Sequence, residues 1–190
     1  NRLRYGLFWS GSYPTTSTVE SSYFAYTGGS ALKDSNNSVT VTVRDFEVAN
    51  CSLEKTSQDG IDVIGKWTME ACLVRNNGGN HSEVERGGNA IEFGKPSVTL
   101  SQQNVVRNCT LRDNAVGGVS ILNQVFNVRI EKNIITGNGT QKTGAGIHLS
   151  IPDNPGTRGI AIRRNHIYDN AGLGIDLVAD YSLTPRGRPD

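Results

Sequence analysis

The chain has 190 residues, enough for one domain with a continuous core, and its 19 basic against 18 acidic residues leave a formal charge of +1. No basic field points to nucleic acid, which is excluded as a partner, and no apolar run approaches the roughly 20 residues of a membrane span. Gly at 22 and abundant Asn, against a single Met, indicate turn chemistry repeated many times.

Taken in order, residues 1 to 18 carry Tyr5, Phe8, Trp9 and Tyr13 ahead of Pro14-Thr15-Thr16-Ser17. They predict an incomplete first unit and a turn, the aromatics capping a core end or offering a platform to a sugar. The opening Asn-Arg-Leu-Arg-Tyr-Gly does not read as a signal peptide. A start without Met and an abrupt close lead to the expectation of a single domain over 1–190 that is a fragment or mature piece of a longer protein.

From Val19 one pattern recurs: two apolar residues five apart with a turn residue between them, a polar residue three further on, then a short strand of the form Gly-Ile-x-Val. The copies are Val19-Ser22-Phe24-Thr27, Val48-Cys51-Leu53-Thr56, Met69-Cys72-Val74-Asn77, Val106-Cys109-Leu111-Asn114, Ile130-Asn133-Ile135-Asn138 and Ile162-Asn165-Ile167-Asn170. Their starts lie 29, 21, 37, 24 and 32 residues apart. A recurring unit of this size means stacked repeats that bury a shared core. Apolar residues at every second position make each unit a ribbon of strands and not a helix. In the first copy, a spacing of eight from Phe24 to Leu32 turns Lys33 outward and Asp34 inward. An inward carboxylate argues against that register, which stays open here.

Three segments carry a resemblance: Val-Arg-Asn-Cys-Thr-Leu-Arg-Asp-Asn at 106 to 114, Ile-Glu-Lys-Asn-Ile-Ile-Thr-Gly-Asn at 130 to 138, and Ile-Arg-Arg-Asn-His-Ile-Tyr-Asp-Asn at 162 to 170. The chain resembles the right-handed parallel β-helix, the all-β solenoid of pectate lyases, polygalacturonases, alginate epimerases and phage tailspikes, here with about six to seven coils. The resemblance implies an inward asparagine ladder, with Cys51, Cys72 and Cys109 in one column continued by Asn133 and Asn165. Buried there, the thiols act as small hydrophobes and stay free, and no His joins them to bind metal.

Along the Gly-Ile-x-Val strands the residue between the two apolar ones faces outward. That row reads Asp62, Glu92, Ser120, His148, Asp176. Long insertions flank it in the third and fifth coils, at 78 to 89, 94 to 103, 139 to 145 and 150 to 158, while the fourth coil is lean. The insertions predict a cleft over the fourth coil with the row as its floor, and loops on a rigid scaffold are where binding residues concentrate. In the resembling enzymes this strand and its flanking turns hold the polysaccharide.

Asp62 and Glu92 sit in successive coils, so strand stacking puts their carboxylates roughly 5 Å apart, a retaining-glycosidase separation. His148 is the candidate second base; Ser120, Asp176, Arg86, Lys95 and Arg158 are candidate substrate-binding residues, the cations as partners for uronate carboxylates. Gln58-Asp59-Gly60-Ile61-Asp62-Val63 looks like the Asn-Thr-Asp-Gly-Ile-Asp stretch of polygalacturonases, which implies a catalytic Asp59. The later motifs of that family are absent, as is the Asp-Pro-His of alginate epimerases. The expectation is a secreted or cell-surface protein that cleaves a polysaccharide by hydrolysis or elimination, with Ca²⁺ or without a cofactor and no metal-ligand set assigned. The alternative is a non-catalytic glycan-binding or structural module; the oligomeric state is left open.

Overall fold

A computed structural model describes residues 4–10, 14–35, 37–51, 59–78, 87–94, 103–122, 125–140, 144–150 and 157–178. All described strands are paired in parallel and fall into three sheets of seven, six and six strands. The first sheet stacks Leu7–Trp9, Leu32–Asp34, Ile61–Val63, Ile91–Phe93, Val119–Ile121, Ile147–Ser150 and Ile175–Val178. The second runs from Thr15–Glu20 through Val39–Arg44, Lys66–Glu70, Asn104–Arg107 and Val128–Glu131 to Ala161–Arg163. Tyr23–Ala25, Glu47–Ala49, Leu73–Arg75, Thr110–Arg112, Ile134–Thr136 and His166–Tyr168 form the third. Each coil visits the three sheets in turn, so the chain is a parallel β-solenoid, and no helix occurs among the described residues.

The corners explain why the sequence repeats as it does. Between the second and third sheets a residue adopts the left-handed conformation in every coil: Ser21, Asp45, Ala71, Asn108, Lys132 and Arg164, with φ between 48° and 57°. A second set, Tyr26, Asn50, Asn76, Asp113, Gly137 and Asp169, does the same where the third sheet ends. Such backbone costs roughly 1–2 kcal/mol per non-Gly residue, so something must hold it. The residue after these positions turns toward the core, and where it is Asn its side-chain amide bonds a neighbouring coil. Asn77 N and Nδ2 donate to Asn114 Oδ1 at 3.1 and 2.9 Å, and Asn114 Nδ2 to Asn138 Oδ1 at 2.8 Å. Asn138 Nδ2 in turn donates to Asn170 Oδ1 at 2.9 Å. The parallel ladder in the other corner pairs Asn133 Nδ2 with Asn165 Oδ1 at 3.0 Å.

The second coil is registered differently from the sequence expectation. Val43, not Val48, stands beside Val19 and Met69, and Val48 stands beside Phe24 and Val74. The unit is therefore Val43-Phe46-Val48-Cys51, a slip of five residues, and the starts lie 24, 26, 37, 24 and 32 apart. The similarity of Val-x-x-Cys-x-Leu to Met-x-x-Cys-x-Val suggested the wrong register; the corner position is filled by Phe46, whose ring packs on Phe24 at 5.2 Å. Cys51 consequently leaves the thiol column and joins that of Asn77, whose Oδ1 accepts its amide at 2.9 Å. Leu53 and Thr56 lie outside the described residues.

The open register of the first coil resolves as the spacing indicated, with Leu32 beside Ile61 and Lys33 beside Asp62. Asp34 is inward and fully buried. The backbone N–H groups of Ile64 and Gly65 donate to its carboxylate at 2.6 and 2.8 Å, and the indole Nε1–H of buried Trp67 at 2.8 Å. A buried carboxylate is tolerated where donors converge on it. Burial still pushes Asp34 up to about 6, against the lowering effect of those donors.

One regularity was missed in the sequence. The residue after the first apolar position reads Glu20, Arg44, Glu70, Arg107, Glu131, Arg163, alternating in sign at every coil along the outer face of the second sheet. Arg107 pairs with Glu70 at 2.9 Å and Arg163 with Glu131 at 2.7 Å. Like charges directly opposite on neighbouring strands are unfavourable, and the alternation avoids them along this row.

Candidate functional site

The outward row of the first sheet is continuous over seven strands: Phe8, Lys33, Asp62, Glu92, Ser120, His148, Asp176. The five members expected from the sequence align in register, and Phe8 and Lys33 extend the row at one end. Asp62, Glu92, Ser120 and His148 are placed by one local rule: a buried apolar residue on either side, such as Ile91 and Phe93 around Glu92, fixes which face each occupies, whereas Ile175 and Leu177 around Asp176 are exposed on the last strand of the sheet. Although they face outward, Asp62 and Ser120 keep only 6% of their surface. These two groups are recessed, and charge there is felt more strongly than on an open surface.

Lys33 changes the reading of the acid pair. Its ammonium donates to the Asp62 carboxylate and forms an ion pair with it. Burial pushes Asp62 above the usual carboxylate range, with Lys33 opposing the shift. For Lys33, burial acts downward, but Asp62, with smaller contributions from Tyr5 and Asp59, more than offsets it and the group lies above its ordinary value. The pair favours the charged form of Asp62, which is not the state of a proton donor. Further along, His148 Nδ1 lies 3.6 Å from Asp176 Oδ2, an ion-pair distance when the ring is protonated and too long for a good hydrogen bond.

Asp59 stands apart from the row. It is fully buried at the turn into the Asp62 strand and accepts from Gly88 N, Asn89 N and Asn89 Nδ2 at 3.1, 2.7 and 2.9 Å. Burial, then the charge of Asp62, pushes it up to about 7. With no surface exposed, it ties one coil to the next and presents nothing to a substrate. Arg158 is exposed on the connection leading to the second sheet, its guanidinium over the Phe126 ring at 5.1 Å in a short bridge between these residues. Arg86 and Lys95 lie outside the described residues. Among the described residues no group of three or more His, Cys, Asp or Glu is arranged to hold a metal ion.

A parallel solenoid with asparagine-laddered corners and a polar row along one sheet defines the β-helix class. Residues 5 to 186 match the right handed beta helix region family, and the chain belongs to it. No curated protein and no solved structure matches the chain. No described helix is long and apolar enough to cross a membrane.

Proposed function

We propose that the protein binds a polysaccharide along the outward row of the seven-stranded sheet and hydrolyses a glycosidic bond over the fourth coil. The observation that carries this reading is the register of Glu92, Ser120, His148 and Asp176 on four successive strands. With Asp62 engaged by Lys33, Glu92 serves as general acid on the glycosidic oxygen. His148 activates the attacking water, Asp176 steadies the imidazolium that forms, and Ser120 between Glu92 and His148 binds a sugar hydroxyl.

Two strand spacings separate Glu92 from His148, about 9–10 Å, close to the upper end of the separation that leaves room for water in an inverting mechanism. The reading favours Glu92 with His148 over the retaining pair of Asp62 with Glu92, because the Lys33 ammonium occupies the Asp62 carboxylate that would otherwise act as nucleophile. Such a substrate fits an extracellular or cell-surface protein.

The test is incubation with neutral and uronate-containing polysaccharides, with and without Ca²⁺, following new reducing ends and unsaturated-uronate absorbance together. Reducing ends alone, with inverted anomeric configuration by NMR, are expected. Both signals together mean elimination and overturn the hydrolytic assignment. Silence on every substrate leaves a glycan-binding or structural module.

A further inference from the structure

Cys72 and Cys109 occupy the same corner position of successive coils. The strands around them are registered Glu70 with Arg107 and Leu73 with Thr110. Backbone bonds close on both sides, Ala71 N to Arg107 O at 3.2 Å and Thr110 N to Cys72 O at 2.8 Å. Between them the Cys72 amide donates directly to Cys109 Sγ at 3.4 Å. Stacked parallel strands lie about 4.8 Å apart, inside the roughly 4.4–6.8 Å Cα separation of disulfides, and a small approach of the two coils brings the Cβ atoms within bonding range.

Both are free thiols, 3% and 1% exposed. Even so, Cys72 lines an open groove of about 570 Å³, and so do Asn108 and Thr110, the two chain neighbours of Cys109. The thiols also act on each other: the neighbouring Cys109 sulfur and burial push the Cys72 thiol above its ordinary range, while donation from Cys72 holds the Cys109 thiol below it. Cys51 lies in the other corner, with Asn77 and not a thiol at its position in the next coil. Its Sγ contacts the carbonyls of Ala49 and Phe24 at 3.4 and 3.8 Å, as Cys72 Sγ contacts those of Glu70 and Val43 at 3.3 and 3.7 Å, but its amide donates to Asn77 Oδ1 and not to a sulfur.

We infer that Cys72 and Cys109 form a coil-to-coil disulfide on exposure to a small hydroperoxide entering by this groove. One sulfur, as thiolate, attacks the peroxide, breaking the O–O bond and giving a sulfenic acid and hydroxide. The second sulfur then attacks the first, the S–S bond forms and the oxygen leaves as water; the two thiols are oxidised and the peroxide is reduced. The bridge closes the coil that contains Glu92 and joins it to the coil that contains Ser120. This inference does not depend on the polysaccharide reading.

The test treats the folded protein with hydrogen peroxide, removes the excess with catalase, then unfolds and alkylates. Expected are a mass lower by two hydrogens, one alkylated thiol at Cys51, a linked peptide joining Cys72 to Cys109, and a higher urea midpoint that dithiothreitol reverses. Cys51→Ser gives the same link and Cys109→Ser gives none. Three alkylated thiols after treatment, separate oxygen adducts on the two sulfurs, or a link that includes Cys51 would each overturn it. Because the native chain and Cys51→Ser carry the decisive measurement, a misfolded Cys109→Ser leaves the test intact.

Discussion

Lys33 and Asp62 stand opposite each other on adjacent strands of the first sheet, and the ammonium of one is hydrogen-bonded to the carboxylate of the other. Removing one member of a recessed ion pair strands the other charge, which costs more than the pair contributes. Lys33→Met is therefore expected to destabilise the fold by on the order of 2–3 kcal/mol, short of the figure for a fully buried pair because the Lys33 side chain keeps 22% of its surface. The double variant Lys33→Met/Asp62→Met should recover most of the loss. Urea unfolding measures both; an unchanged midpoint in the single variant would show the pair to be inert.

The catalytic assignment separates Glu92 from Asp62. Glu92→Gln keeps the shape and removes the proton, so turnover should fall by about 10²–10⁴-fold with the unfolding midpoint unchanged. His148→Gln should cost a similar factor. Asp176→Asn should cost less, since Asp176 acts only on the protonated ring, across 3.6 Å. Full activity in Glu92→Gln, on a substrate that the native protein cleaves, removes Glu92 from the mechanism.

Two buried carboxyls set an unusual pH dependence. Asp34 and Asp59 are pushed up to about 6 and about 7, chiefly by burial. In the unfolded chain they titrate near 3.9, so above that value the native state holds protons that the unfolded state has lost. Their contribution to stability is then greatest at low pH and declines as pH rises, from about 4 to 6 for Asp34 and from about 4 to 7 for Asp59. For Asp34 the decline is on the order of 2–3 kcal/mol. Urea midpoints at pH 4.5 and 6.5 should show Asp34→Asn with a flatter slope than the native chain, whatever the substitution costs overall. Identical slopes would mean that the Ile64, Gly65 and Trp67 donors keep Asp34 ionised throughout.

How legible this was depended on how much each residue type constrains its neighbours. The alternation around Ile61, Asp62 and Val63 could be read because a slip of one residue would bury the acid row and expose the apolar one. The asparagine corners were legible because they recur at one spacing in the fourth to sixth coils. In the second coil Phe46 takes the corner position by packing on Phe24, and nothing local marks a phenylalanine as the equivalent of an asparagine. Asp34 looked wrong as an inward residue because its partners, Ile64, Gly65 and Trp67, lie about thirty residues away in the next coil. The Lys33–Asp62 pair was hidden for the same reason: it forms across a register that the sequence left open.

The ladder itself can be tested by comparing its middle with its end. Fully buried Asn114 accepts from Asn77 N and Nδ2 and donates to Asn138 Oδ1 and to the carbonyls of Val74 and Arg112. In Asn114→Ala the two Asn77 donors lose their acceptor where no water replaces it, and each unmet buried group costs about 1–3 kcal/mol. The expected loss is about 3–5 kcal/mol, the two left-handed corners at Asn76 and Asp113 loosening with it. Asn170 makes the equivalent bonds to Asn138 at 3.1 and 2.9 Å but is only half-buried, so water can substitute. Asn170→Ala should cost about 1 kcal/mol. If the two variants unfold at the same urea concentration, stacking of the apolar columns holds the coils together and the amide ladder contributes little to stability.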